Sequence, residues 1–120
     1  MSNVLLVEDN RDLADSLMIA LELEGHQVET EGDGAAGLLH AAERPPNVVV
    51  LDVDLPKLDG VALARGLRQM HGDAIHLIAY SGRLDDEVLV EQLEDAGVDD
   101  AILKPAPLPV LLAAVRRLAA

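Results

Sequence analysis

Val48-Val49-Val50-Leu51-Asp52-Val53-Asp54-Leu55-Pro56-Lys57-Leu58-Asp59-Gly60 is the stretch on which the reading of the fold turns. Four aliphatic residues in a row, three of them β-branched, read as a short buried strand. The run stops at an acidic residue. Pro56, Asp59 and Gly60 then mark a loop, and Gly60 opens a segment in which Leu63, Leu67 and Met70 return at helical spacing. A buried strand followed by an amphipathic helix is half of a βαβ unit.

The same pattern repeats outward in both directions. Val4 to Val7, Ile75 to Tyr80 and Ala101 to Leu103 are further apolar runs that end at a polar residue or a turn. His26 to Glu31 is a weaker strand whose charged end suits a sheet edge. Between the runs lie segments of helical period. The first places Leu13, Leu17, Ala20 and Leu21 on one face, behind a cap at Asn10 and before Gly25. Asp33 caps a second helix through Glu43, closed by Pro45-Pro46. A fourth runs from about Asp85 to Ala96 with Val88, Leu89 and Leu93 inward, and Asp85-Asp86-Glu87 sits at its positive end. A fifth starts at Pro107 or Pro109 and carries Leu111, Leu112, Val115 and Leu118. Five alternations of strand and helix predict an α/β, doubly wound parallel sheet with helices on both faces, formed as one domain over residues 1–120.

Composition narrows the function. Half of the 120 residues are apolar, enough for one core, and Tyr80 is the sole aromatic, so that core is aliphatic. With 22 acidic against 9 basic side chains, the net charge of -13 repels nucleic acid and anionic lipid. The lack of cysteine removes disulfides and thiolate metal sites, and suits a cytoplasmic setting. No apolar stretch is long enough to cross a bilayer. His26, His40, His71 and His76 lack metal-ligand spacing and are expected at strand edges or on the surface.

In doubly wound sheets, ligands bind beyond the carboxyl ends of the strands. There the sequence places Glu8-Asp9, Asp52, Ser81-Gly82 and Lys104-Pro105. If the first and third strands are neighbours, Glu8, Asp9 and Asp52 converge, and three carboxylates that close repel one another unless a cation joins them. Oxygen-only ligation points to Mg²⁺ or Mn²⁺. Such a cation also relieves the repulsion that opposes attack by a carboxylate on a phosphoryl group. Lys104 adds a second positive charge and Ser81 a hydroxyl.

Glu8-Asp9, the run from Leu51 to Gly60, Ser81-Gly82, and Ala96-Gly97 through Lys104-Pro105 together resemble the receiver domains of two-component response regulators across essentially the whole chain. The resemblance implies a flavodoxin-like strand order of 2-1-3-4-5. It also implies Asp52 as phosphoacceptor for a histidine kinase or histidine phosphotransfer protein. Glu8 and Asp9 become metal-site acids, Asp54 a backbone-carbonyl ligand, Ser81 a switch hydroxyl and Lys104 a phosphoryl-contacting cation. A cis Lys104-Pro105 bond is implied as well. The output would be a changed surface for a downstream protein.

Many relatives carry an aromatic switch residue where this chain has Ala101, and Tyr80 is the candidate to replace it. Asp54 and Arg83, two residues beyond Asp52 and Ser81, carry opposite charges and would tune the acyl-phosphate lifetime if they pair. Two rival readings stand beside the receiver. Asp52-Val53-Asp54 also resembles the nucleophile motif of haloacid-dehalogenase-type phosphatases, and the fold could serve as an interaction module that is never phosphorylated.

Overall fold

The computed structural model describes residues 2–84 and 86–119. Its strands are β1 (Asn3–Val7), β2 (Gln27–Glu31), β3 (Val48–Leu51), β4 (His76–Ser81) and β5 (Asp100–Leu103). They alternate with α1 (Arg11–Leu23), α2 (Gly34–Glu43), α3 (Gly60–His71), α4 (Glu87–Asp95) and α5 (Leu108–Ala119), and a 3₁₀ turn at Gly72–Ala74 follows α3. The strands form one sheet in the order β2-β1-β3-β4-β5. Every pairing is parallel. This is the expected doubly wound, flavodoxin-like arrangement. The chain leaves from β1 to one side and returns to place β3 on the other, so β1 and β3 become the central neighbours.

The period-two alternation of the strands sorts the interior into two layers. Leu5, Val7, Val49, Leu51, Leu77 and Ala79 pack with Leu63, Leu67, Leu89 and Leu93 of α3 and α4. Val4, Leu6, Val48, Val50, Ile78, Tyr80 and Ile102 pack with Leu17, Leu21, Leu111 and Val115 of α1 and α5. The four consecutive aliphatic residues of β3 are therefore shared equally between the layers, which is why that run lacks any polar alternation.

Caps fix where the helices begin. Asn10, Asp33, Asp59 and Asp86 each accept a hydrogen bond from a first-turn amide of α1, α2, α3 and α4. The helix α4 departs from expectation in its phase. The amides of Val88 and Leu89 both bond the Asp86 side chain, and the buried stripe runs through Leu89 and Leu93, leaving Val88 64% exposed. Neighbours on a helix point about 100° apart, so only one of Val88 and Leu89 can face the sheet. Met70, 41% exposed at the end of α3, also turns partly outward. The expected start of α4 at Asp85 lies outside the described residues.

His40 is a second departure. It is buried, not superficial: its Nδ1 lies 2.8 Å from Glu31 Oε2 and its Nε2 3.3 Å from Glu29 Oε2. Arg44 reaches the same Glu29 oxygen at 2.9 Å. His40 of α2 and Arg44, which caps its carboxyl end, thus cover the charged side chains of β2, the edge strand of the sheet.

Two glycines let the segment after β3 pack closely. A Cβ on Gly60 would lie 2.3 Å from the Asp52 carbonyl oxygen, and one on Gly34 would lie 1.8 Å from that of Leu58. Both backbones also bond the loop, Gly60 N–H to the Val53 carbonyl at 2.9 Å and Gly34 N–H to that of Pro56 at 3.2 Å. Gly60→Ala is therefore expected to destabilise the protein by about 1–3 kcal/mol. Gly32→Ala, where a Cβ meets open space, should change stability little. Equal urea midpoints for the two variants would refute the close approach.

Candidate functional site

The site is assembled at the carboxyl rim of β1, β3, β4 and β5. The ladder continues past the strands and fixes the backbone there: the Asp52 amide donates to the Val7 carbonyl at 3.0 Å, and that of Glu8 to Glu31 at 3.0 Å. The Lys104 amide donates to the Ser81 carbonyl at 2.9 Å. The residues that follow the apolar runs are carried onto one rim because their strands are in register.

Glu8 and Asp52 are mostly enclosed, at 7% and 9% exposure, while Asp9 is open to solvent. One carboxylate oxygen from each of the three lies within 4.8 Å of the others. Lys104 closes the group, its Nζ donating to Glu8 Oε1 at 2.6 Å and to Asp52 Oδ2 at 3.2 Å. The Asn10 amide donates to the other Glu8 oxygen at 3.2 Å, and the Asp54 amide to Asp52 Oδ1 at 3.2 Å.

Electrostatics follow from this crowding. Burial pushes the Glu8 carboxyl above its usual range and the Asp52 charge adds to the rise, against the opposing hydrogen bonds from Lys104 and Asn10. Burial alone would lower Lys104, but its hydrogen bond to Glu8 and the charge of Asp52 outweigh that and raise it. Three carboxylates faced by one ammonium leave the cluster short of positive charge, and all of its donors are oxygen. A hard divalent cation fits both conditions. Glu8, Asp9 and Asp52 are the side chains that can hold it.

Ser81 is fully buried at the end of β4, and its Oγ accepts from the Arg83 amide at 3.2 Å. Its hydroxyl is thus engaged with its own loop. Arg83 crosses to Asp54 as a two-pronged pair, Nε to Oδ2 at 3.0 Å and a terminal nitrogen to Oδ1 at 2.8 Å. The expected pairing of these charges is present, half-exposed at the mouth of the site. The Lys104-Pro105 peptide is cis.

Tyr80 does not stand where a replacement for the aromatic at Ala101 would have to stand. Ala101 pairs with Ala79, whereas Tyr80 pairs with Ile102 and points to the opposite face of the sheet. There its ring is buried with Ile78, Ile102 and Leu111. It also lies beneath Lys104, whose Nζ is 5.2 Å from the ring centroid. That contact went unread in the sequence, although Lys104 follows Ile102 by two residues and so shares its face.

Among the described residues no helix is long and apolar enough to cross a membrane. The response regulator receiver domain family matches residues 4–116. The transcriptional regulatory protein PrrA of Mycobacterium leprae is 41% identical over 115 residues, which cover 96% of this chain and 48% of PrrA. The chain thus spans about half the length of that relative. A CheY-like receiver domain protein from Methanospirillum hungatei has a TM-score of 0.93 at 25% identity, covering 98% of this chain and 92% of the other. The BeF3-activated DrrB receiver domain has a TM-score of 0.89 at 29% identity, covering 98% of this chain and 97% of the other. With the match running from the first strand into the last helix, around a rim of clustered acids and one lysine, the chain belongs to the response regulator receiver domain family.

Proposed function

We propose that this chain is a phosphorylation-controlled switch in which Asp52 takes a phosphoryl group from the phosphohistidine of a histidine kinase or histidine phosphotransfer protein. One observation carries the reading: Glu8, Asp9 and Asp52 converge on one point, with Lys104 bonded to two of them. The BeF3-activated state named for the DrrB relative is consistent with such a site.

Asp52 is the nucleophile by its place after β3 in the receiver pattern, and it is both enclosed and fixed in orientation. Its Oδ1 is held by the Asp54 amide and its Oδ2 by Lys104. A carboxylate oxygen forms the new O–P bond as the N–P bond of the donor breaks, and the departing imidazole keeps that electron pair. Glu8, Asp9, Asp52 and the backbone carbonyl of Asp54 would hold magnesium, which would supply neutralising charge for the transfer. Lys104 offers an ammonium to the arriving oxygens. The aspartyl phosphate bears roughly 1.5 to 2 negative charges where the carboxylate bore one, beside Ser81, whose hydroxyl can turn from the Arg83 amide toward it. That turn would carry the Gly82-Arg83 loop and alter the surface presented to a downstream protein. A net charge of -13 disfavours direct contact of this chain with nucleic acid, so the partner is a protein.

Asp54 is a poor candidate for the acid and base of a phosphatase, since both of its oxygens are engaged by Arg83. The pair instead screens the site from hydrolytic water.

Intact-mass spectrometry after incubation with acetyl phosphate and Mg²⁺ should show one added phosphoryl group on the native protein and none on Asp52→Asn. Prior chelation of the metal should abolish the gain. An unmodified native protein that still binds its partner would favour the unphosphorylated interaction module. Asp54→Ala and Arg83→Ala should each speed decay of the phosphorylated form by about two- to fivefold, the scale of a half-exposed ion pair. Unchanged decay in both would remove the screening role.

A further inference from the structure

Every large side chain in the fully buried core is aliphatic, and the chain has one aromatic residue to spend. It is spent at the end of β4, against the functional lysine. Core filling alone would be met there by leucine or isoleucine, as it is at Ile78 and Ile102 beside it. The position has a further property that those residues could not use.

Lys104 Nζ lies 5.2 Å from the centroid of the Tyr80 ring, inside the about 6 Å over which a ring face attracts an ammonium. Its remaining partners, Glu8 Oε1 and Asp52 Oδ2, belong to the acidic cluster and have other claims on their oxygens. The ring has no such competing role. A lysine stem has several rotatable bonds, and an ammonium held only by shared carboxylates would leave the rim whenever they turned away.

We infer that Tyr80 is a positioning residue for the phosphoryl transfer: its ring face holds the Lys104 ammonium at the rim of the acidic cluster, independently of Glu8 and Asp52. The inference rests on the reading of Asp52 as phosphoacceptor, and it assigns Tyr80 a role different from that of a mobile aromatic switch. The ring is a fixed platform, and the lysine is what it steers.

Two measurements on the full chain test this. In the first, the side-chain methylene protons of Lys104 are observed by nuclear magnetic resonance without added metal. The native protein and Tyr80→Phe should show them shifted upfield by the ring, and Tyr80→Leu should not. Absence of that shift in the native protein overturns the contact.

In the second, the initial rate of Asp52 phosphorylation by acetyl phosphate is compared across variants. Tyr80→Leu should be slower by roughly threefold to tenfold, with Tyr80→Phe restoring most of the loss. Equal rates for the native protein and Tyr80→Leu overturn the positioning role. If Tyr80→Leu does not fold, phenylalanines of increasing ring fluorination at position 80 decide the matter. Stepwise slowing as the ring face loses negative charge supports the inference, and a flat series of rates overturns it. A native protein that gains no phosphoryl group at all would instead refute the phosphoacceptor reading, and the resonance shift would still report on the contact.

Discussion

The structure is organised around an electrostatic debt at one end of a parallel sheet. Glu8 and Asp52 follow adjacent strands, so the register that buries Val7 opposite Leu51 also forces their carboxylates together. Lys104 answers part of that charge from two strands away. Such crowding is costly in water-poor surroundings unless opposite charge and hydrogen bonds offset it. Its placement at the sheet rim, where binding sites of doubly wound folds occur, ties the cost to function. The two apolar layers and the glycine-permitted loop contacts serve to hold those few polar atoms still.

Much of the fold was legible because buried parallel strands write themselves as unbroken aliphatic runs. Val48 to Leu51 is the clearest case, since both of its faces are covered. The weak strand at Gln27–Glu31 was legible for the opposite reason, as its charges announce an edge. Some of what failed was decided by a distant partner. His40 has no local signature, and its burial depends on a crossover that brings Glu29 and Glu31 to it. Val88 and Leu89 are adjacent and alike, and the phase that exposes the former comes from a cap and a packing choice.

The site was legible in a different sense. Spacing alone offered acidic residues after strands, and only their joint placement with Ser81 and Lys104 gave the pattern meaning. Lys104 and Glu8 are 96 residues apart, so no local periodicity could predict their hydrogen bond. The Tyr80 contact was missed for a subtler reason. The absent aromatic at Ala101 suggests the lone ring as its substitute, although strict alternation along β4 assigns that ring to the layer with Ile78, on the opposite face of the sheet.

A core built without tryptophan or phenylalanine has an optical consequence. The chain possesses a single near-ultraviolet chromophore, the Tyr80 phenol, and it sits against the Lys104 ammonium instead of in some remote corner. Near-ultraviolet dichroism and emission from this molecule therefore carry no background from other rings. The chain comes with one native optical probe, already installed beside the lysine of its acidic cluster.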